Sequence, residues 1–301
     1  MKKIILFFVG FLARLHILTP IRVAQLKYMY MCRCCPHFRH PHDINEKINW
    51  LKFYGDTSQW PLLADKYRVR EYVKECGFEE ILIPLTGKWD SVEEIDWDKL
   101  PQQFVMKCNN GSGDVVVCAD KGALDKVLIL QHFRKTLQSP YGILTGEEHY
   151  KSIKPCIIAE ELLDGSTQPN KSQSLVDYKI WTFDGKPEFI VCYSNRHNNY
   201  YCEIGVYDCN WEAHPEFLRY TSHYMPEHKL MPEPACLGDM LCIASRLSKG
   251  HPQMRVDLYE VNGHIYFGEL TLTSSGGYMS NFTQEFLDKL GRLTVLPIDK
   301  K

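Results

Sequence analysis

Apolar residues recur at helical spacing in two segments of the N-terminal third of the chain. In DINEKINWLKFYG they stand at Ile44, Ile48, Leu51 and Phe53. Spacings of three and four residues place side chains on one helix face, and glycine commonly follows a helix C-terminus. The pattern predicts one amphipathic helix ending at Gly55 and a second through PLLADKYRVREYVKECG, with Gly77 as its C-cap.

Short apolar runs bounded by turn residues dominate from about residue 80 onward. The runs are EEILIPLTGKW, QQFVMKC, DVVVCAD, PCIIAEELL, DYKIWTFDG, PEFIVCYS, MRVDLYE and HIYFGELTL. Such runs are typical of strands. The segments LDKVLILQHFRKTL and ACLGDMLCIASRLSKG between them are instead typical of helices. Strands with interspersed helices predict an α+β fold class.

Composition narrows the class of protein. The chain has 301 residues, of which 45% are hydrophobic and 24% charged, enough for one large or two small globular units. A net charge of −2 gives no global attraction for nucleic acid, so we expect no nucleic-acid partner. Twelve cysteines scattered along a long chain indicate reduced thiols and a cytoplasmic protein rather than a disulfide framework.

The N-terminal segment MKKIILFFVGFLARLHILTP is basic and then apolar. Arg14 and His16 interrupt its apolar run before the roughly twenty residues that span a bilayer. We expect residues 1–20 to form an amphipathic helix that packs on the protein or makes peripheral membrane contact, with a signal peptide as the alternative. The following CRCCPHFRHPH lacks the paired ligand spacing of zinc sites and is predicted to be a surface loop.

The stretch FVMKCNNGSGDVVV places Lys107 at the end of an apolar run, before Gly111, Ser112 and Gly113. A lysine there can direct an ammonium at a phosphate, while the glycines let a turn fold over it and offer backbone N–H donors. An exposed lysine before an ordinary hairpin turn is the alternative. The spacing matches neither the P-loop nor the dinucleotide-binding motif.

The segment MRVDLYEVNGHIYFGELTLTSSGG predicts a hairpin that carries possible metal ligands: Arg255, Asp257, Glu269 and Thr271. Carboxylates on neighbouring strands can share Mg²⁺, which prefers oxygen ligands. A two-residue turn would pair Val256 with Glu269 and turn Asp257 away. We therefore predict a three-residue loop, 261–263, which puts Arg255, Asp257, Phe267 and Glu269 on one face. A hairpin whose charges face water is the alternative.

Two further segments are weaker candidates. PCIIAEELLDG ends a strand in Glu160–Glu161, which resembles a linker that reads an adenine edge but is also typical of a solvated strand end. The polar stretch 195–211 carries Arg196, His197 and Tyr200, which could contact a sugar or carboxylate acceptor, although an ordinary polar loop has the same composition. Lys179 in DYK is a candidate phosphate or carboxylate contact, against an exposed strand lysine.

Taken in order, LLADKYRVREYV, FVMKCNNGSGDVVV, IIAEELLDG, DYKIWTFDGKPEFI and MRVDLYEVNGHIYFGELT resemble the successive motifs of the ATP-grasp enzymes, most closely their teichuronopeptide-biosynthesis-type (TupA-like) branch. The resemblance runs from about residue 45 to about residue 277. It implies two α+β lobes that clasp ATP. We accordingly predict an N-terminal helical segment (1–60), an N-terminal lobe with a flap (61–160) and a C-terminal lobe with a metal site (161–301).

The resemblance also implies roles for individual residues. Lys66 and Lys107 would contact phosphates beneath a flap formed by Gly111, Ser112 and Gly113. Glu160, Glu161 and Leu163 would border the adenine, with Asp177 near the ribose. Asp257 and Glu269 would hold Mg²⁺, and Arg255 would face an acyl phosphate. Thr271 departs from the Asn of many ATP-grasp ligases, which leaves the number of Mg²⁺ ions open.

The implied function is an ATP-dependent carboxylate–amine ligase of bacterial surface-polysaccharide biosynthesis, with a small-molecule or polysaccharide-precursor carboxylate and an amine as its partners. Two alternatives are a glycosyltransferase-type enzyme of the same pathways and a non-catalytic ATP-binding adaptor. No DxD-like motif stands in a suitable strand-end loop, which weighs against the first. The apolar N-terminus motivates the second.

Overall fold

A computed structural model of the chain describes residues 9–10, 12–15, 17–197 and 201–298. Of the amphipathic helix expected over residues 1–20, residues 1–8, 11 and 16 lie outside this description, and residues 9–10 and 12–14 are helical. The helices are α1 (Pro20–Cys32), α2 (Ile44–Tyr54), α3 (Trp60–Ala64), α4 (Val69–Glu75), α5 (Lys126–Leu137), α6 (Leu237–Leu247) and α7 (Gln284–Leu293). Among the described residues, none of the helices combines the length and apolar character required to cross a membrane.

Four antiparallel strands form a small sheet in the order β1-β4-β2-β3. They are β1 (Leu85–Trp89), β2 (Phe104–Cys108), β3 (Val116–Cys118) and β4 (Ile157–Glu161). The alternation of β2 buries Phe104 and Met106 on one face, where Ile129 and Phe133 of α5 pack on them. The opposite face carries Lys107, so this face is free to line a cleft.

Six strands form a larger sheet in the order β10-β9-β5-β6-β7-β8. They are β5 (Asp177–Phe183), β6 (Lys186–His197), β7 (Tyr201–Asp208), β8 (Tyr224–Pro226), β9 (Met254–Val261) and β10 (His264–Thr271). All pairs are antiparallel except β7 with β8. A separate hydrophobic cluster covers each face, one including residues of α3, α4 and α6 and the other residues of α2 and α7. The α+β fold class predicted from the sequence is confirmed.

The second predicted helix is wrong as a single element, because it is divided into α3 and α4. Asp65 lies at the break, where its Oδ1 accepts hydrogen bonds from the backbone N–H groups of Tyr67 (2.9 Å) and Arg68 (3.1 Å). A carboxylate that bonds to nearby backbone donors competes with helical bonding. The break places Lys66 in a turn rather than on a helix flank. Gly77, predicted as the C-cap, does follow α4 with a φ of 87°.

The helices α3 and α4 lie in the chain segment assigned from the sequence to the N-terminal lobe, yet their apolar residues pack elsewhere. Leu63, Val69 and Val73 share a cluster with Tyr178 and Ile180 of the larger sheet. The predicted lobe boundaries stay a prediction, but the core places this segment against the larger sheet.

The stretch 195–211, predicted as a polar loop, is mostly strand. It contains the end of β6 and all of β7, which pair from Phe189↔Asp208 to His197↔Tyr201. Inward-facing Cys202, Ile204 and Val206 of β7 are buried, a period of two that the polar residues before it obscured. Tyr200, proposed as an acceptor contact, lies outside the described residues.

Candidate active site

A β-bulge in the β9–β10 hairpin gathers the candidate metal ligands. The turn has two residues, Asn262 (φ 53°) and Gly263 (φ 76°), and pairs Val261 with His264, so the predicted three-residue loop is wrong. The register shifts at Gly268, after which Glu269 pairs with Asp257. The extra residue moves the carboxylate onto the same face as its partner. The predicted grouping therefore arises through a bulge, not through the loop.

Gly268 is suited to this position because there is little room beside its Cα. A Cβ atom there would lie 3.0 Å from the backbone oxygen of Asp257 and 3.1 Å from the Tyr259 ring. The bulge also brings Thr271 opposite Arg255. Two adjacent strands thus present a guanidinium, two carboxylates and a hydroxyl together.

Asp257 is the most enclosed member of this cluster, with its side chain 1% exposed. It accepts two hydrogen bonds from Arg255, from Nε at 2.6 Å and from Nη2 at 2.7 Å, and another from Lys179, its register partner on β5. Burial raises the pKa of the Asp257 carboxyl, opposed by the charges of Arg255 and Lys179. Burial lowers the pKa of Arg255, but the Asp257 carboxylate outweighs it and keeps the pKa raised.

Glu269 is the open member of the cluster, with its side chain 34% exposed. Its Oε1 lies 3.2 Å from Arg255 Nη2 and accepts from Thr271 Oγ1 at 3.1 Å, while its Oε2 lies 3.7 Å from Lys66 Nζ. Burial disfavours the charged form, but Lys66, Lys179 and Arg255 prevail and lower the Glu269 pKa to about 2. The carboxylate is therefore ionised at neutral pH.

Lys66 joins the larger sheet to the glycine-rich loop. Its Nζ donates to the backbone oxygen of Gly111 while facing Glu269, and its own N–H donates to Asn109 O at 2.9 Å. Gly111 is buried with φ 121°, whereas Ser112 and Gly113 are exposed. One lysine side chain therefore contacts both the loop predicted as a flap and Glu269, one of the candidate metal ligands.

Lys107 lies on the cleft-facing side of the small sheet with a carboxylate partner. Its Nζ is 2.6 Å from Glu160 Oε2, and Arg70 Nη1 lies 3.5 Å from Glu160 Oε1. Because successive strand residues face opposite ways, Glu161 does not join this group. Its exposed side chain instead borders a cavity of about 850 Å³ on the other face, and Leu163 follows half-buried.

Asp177 extends the cluster along β5. Its Oδ2 lies 2.8 Å from Lys179 Nζ and 2.8 Å from Arg196 Nη2. Within the described residues, its buried Oδ1 has no hydrogen-bond partner. Arg196, suggested from the sequence as an acceptor contact, is therefore tied to the residue expected near the ribose. His197 instead stacks on Tyr201 with ring centroids 5.5 Å apart.

Sequence reasoning missed a group of residues in the segment 141–150. Tyr141 Oη lies 3.0 Å from Ser112 Oγ, and its ring would lie 2.9 Å from a Cβ at Gly111. Burial, Glu147, Tyr141 and Glu269 raise the Tyr150 pKa. Glu147 is buried and accepts from Thr273 Oγ1 at 2.5 Å. The density of tyrosines and glycines in PYGILTGEEHY was the available signal.

The donor set fits a hard divalent cation. Asp257, Glu269 and Thr271 offer only oxygen atoms, and Glu269 reaches the open side of the cluster. In the described part of the chain, no three His, Cys, Asp or Glu side chains form a metal-binding group. Mg²⁺ typically takes one or two protein carboxylates and completes its coordination with phosphates and water, which matches a site of this kind.

Several solved structures are similar to this chain. They include the D-alanine–D-alanine ligase of Bacillus anthracis (16% identity, TM-score 0.39, 70% of this chain and 57% of that one). The L-amino acid ligase of Bacillus licheniformis is 17% identical (TM-score 0.43, 71% and 44%), and the D-alanine–D-alanine ligase of Helicobacter pylori 13% (TM-score 0.43, 84% and 69%). This chain thus spans little more than half of the B. anthracis enzyme. A comparison with curated proteins gave no match.

A family model described as TupA-like ATPgrasp matches residues 46–295. The matched range contains every residue of the cluster, from Lys66 beside the glycine-rich loop to Thr271 on the last strand. It agrees with the order of motifs along the chain and covers most of its length. This chain belongs to the TupA-like ATP-grasp family.

Proposed function

We propose that this protein is an ATP- and Mg²⁺-dependent ligase that activates a carboxylate as an acyl phosphate for attack by an amine. The observation that carries the proposal is the position of Lys66, whose ammonium bonds to Gly111 of the glycine-rich loop and faces Glu269 on the last strand. Family membership supports the choice of ATP as the nucleotide. A cation and a carboxylate from the two sides of one cleft can therefore both act on the same triphosphate.

Each side chain has a role in this scheme. Lys66 and Lys107 bind phosphates, and each now faces a carboxylate that a phosphate would replace as its counter-charge. Gly111, Ser112 and Gly113 cover the nucleotide. Glu160 and the chain around Glu161 and Leu163 border the adenine, and Asp177 lies near the ribose.

Asp257 and Glu269, with Thr271, would hold Mg²⁺, which neutralises charge on the phosphates and polarises the transferred phosphoryl group. Arg255 stabilises the negative charge of the acyl phosphate, and Lys179 orients the substrate carboxylate or a phosphoryl oxygen. Their fixed hydrogen bonds to Asp257 mean that little reorganisation is needed when charge develops.

The substrates we propose are a uronic acid, or another polysaccharide-precursor carboxylate, and an amino acid amine, in bacterial surface-polysaccharide assembly. The test is release of ADP from ATP with uronic acids and amino acids supplied in pairs. We expect ADP release only when both are present. Lys107→Ala and Asp257→Asn should each lower the rate about 100-fold or more, the scale set by removing one group that stabilises transition-state charge.

Lys186→Ala, which alters an exposed lysine at the start of β6, is the matched control and should keep the wild-type rate. Full turnover in both Lys107→Ala and Asp257→Asn would refute the mechanism. ATP binding without ADP release across the whole panel would favour a nucleotide-binding adaptor instead.

A further inference from the structure

A small cavity adjoins the cation–carboxylate cluster on the face of the larger sheet that α2 and α7 cover. Its lining includes residues with polar side chains and apolar ones; the polar residues are Lys179, Tyr193, Arg255, Ser275 and Asn281. Its volume is about 10 Å³, which accommodates one oxygen-sized atom. We call it the Asn281 cavity.

Asn281 is held in place by its backbone but not by its side chain. Its carbonyl oxygen accepts from the Arg219 N–H at 2.8 Å, and the next residue, Phe282, bridges to Leu218. The residue is 6% exposed, and its buried Nδ2 has no hydrogen-bond partner within the described residues. A buried donor without a protein partner costs free energy, so this amide is the group in the cavity lining that is available to a bound acceptor.

The charges around the cavity decide what that acceptor is. Among the described residues, the lining includes the cations Lys179 and Arg255 and no carboxylate, and the Asn281 amide adds a donor. Both cations are already paired with Asp257, but an ammonium group would still find no counter-charge in that lining, whereas an anionic oxygen would meet donors. The cations assigned to the ATP phosphates, Lys66 and Lys107, do not line the cavity. This favours an oxygen of the carboxylate substrate over a phosphoryl oxygen of ATP.

We propose that the Asn281 cavity receives one carboxylate oxygen of the substrate that the enzyme activates, and that Asn281 specifies a carboxylate there. This inference rests on the proposed ligase function and adds the substrate-recognition residue to it. The tight volume admits one oxygen beside the amide, with the rest of the carboxylate directed toward Arg255 and Lys179. Because Asn281 is proposed to contact the carboxylate substrate and not the nucleotide, its loss should lower the affinity for the substrate more than the affinity for the nucleotide.

The test measures ligand affinity by calorimetry with D-glucuronate and L-glutamate as probes, each in the presence of MgADP, and with MgADP alone. Asn281→Leu keeps the size of the side chain and removes its polar atoms. We expect this variant to weaken the carboxylate that binds the wild type about tenfold or more, the scale of a hydrogen bond to a charged group. The MgADP affinity should stay within about twofold of the wild type.

Two controls separate recognition from folding. Asn210→Leu changes an exposed asparagine in the turn after β7 and should leave both affinities unchanged. Asn281→Leu should not lower the unfolding midpoint, because it removes an unpaired buried donor. A marked loss of stability would mean that the amide has a structural partner and would overturn the inference.

Other results would overturn it as well. They are failure of both carboxylates to bind the wild type, unchanged carboxylate affinity in Asn281→Leu, loss of MgADP affinity instead, or a crystal structure of the glucuronate complex with water on Asn281 Nδ2. The ligase proposal fails independently, through ADP release. Carboxylate binding that depends on Asn281 without any ADP release would support the subsite and refute the ligase.

Discussion

Two buried polar regions of this protein use the same kinds of side chain for different ends. The first is the cluster on β5, β9 and β10, where Lys179 and Arg255 meet the carboxylate of Asp257. The second is the α2 stripe, formed by Asn45, Asn49 and Lys52, which stand four and three residues apart on one helix face. The stripe meets backbone groups instead of carboxylates.

The bonds of the α2 stripe hold the turn after β10. Asn45 exchanges two hydrogen bonds with the backbone of Met279 (2.8 and 2.9 Å), and Asn49 Nδ2 donates to Gly277 O at 3.0 Å. Lys52 Nζ donates to Gly276 O at 2.7 Å and to Thr145 O at 2.6 Å. The turn they hold contains three consecutive residues of positive φ, from Ser275 to Gly277, of which only the non-glycine Ser275 is in a strained conformation.

The difference lies in what each region can exchange. The acceptors of the α2 stripe are neutral carbonyl groups of the folded backbone. A ligand therefore does not replace them as partners of the donors in the stripe. A carboxylate that faces a cation can be replaced by a phosphate or shared with a metal at little electrostatic loss. The pKa values agree with this division. Burial lowers that of Lys52 to about 7, whereas Asp257 keeps that of Arg255 raised. Cations that face a carboxylate mark the site, including Lys66, which also bonds to a carbonyl, whereas a cation bonded to carbonyls without a carboxylate partner among the described residues marks the scaffold.

The largest effect that tests this comparison is on stability. Lys52→Met removes the donor from two carbonyls, Thr145 O and Gly276 O, and we expect the free energy of unfolding to fall by about 3 kcal/mol. Denaturant titration measures it. Lys47→Met, on the same helix, loses a single half-buried bond to Thr294 O and should cost about 1 kcal/mol. Equal losses in the two variants would contradict a special role for the stripe.

A smaller effect is expected at the bulge. Gly268→Ala places a Cβ against the backbone of Asp257, which should cost about 1–2 kcal/mol of stability and disturb the pairing of Glu269 with Asp257. ADP release should therefore fall together with the unfolding midpoint. Gly238→Ala, in α6 with open space around it, should stabilise the protein by up to about 1 kcal/mol. An active, stable Gly268→Ala protein would show that the bulge is not needed.

The smallest effect is a pH dependence confined to the cluster. The Glu269 pKa is lowered from 4.5 to about 2 in the folded protein, so the stabilisation is fully present above pH 4.5 and is lost as the pH falls toward 2. Urea unfolding without divalent cations should show a weaker acid dependence for Glu269→Gln than for the wild type. Parallel curves between pH 5 and pH 2.5 would contradict the charge pairing. Lys52 stays protonated over this range and should add no slope.

The predictions from sequence succeeded where a local period carried the signal. The helical spacing of Ile44, Ile48 and Leu51 predicts α2, and that helix spans Ile44–Tyr54 as expected. The alternation of strands would also have shown that Glu160 and Glu161 face opposite ways, because that depends only on neighbouring residues. The helix through Asp65 was wrong because one side-chain carboxylate captures two backbone donors, an outcome that the apolar period does not encode.

Contacts between distant segments were not predictable in the same way. In the sequence, the α2 stripe is only a set of polar residues at helical spacing. Its structural role becomes visible from its hydrogen bonds to a turn more than 220 residues later. Asn281 gives no signal in the sequence, because an unpaired amide is defined by what surrounds it.

The sequence by itself determined most of the element types, the order of the motifs and the chemical identity of the cationic and acidic groups, since these depend on residue type and local period. Tertiary structure alone decided that the metal-ligand candidates share one face. A hairpin turn sets the register only up to the first bulge, and the bulge at Gly268 shifts it by one residue. It also decided which cations pair with carboxylates and which with carbonyls, because pairing depends on distances between segments far apart in the chain.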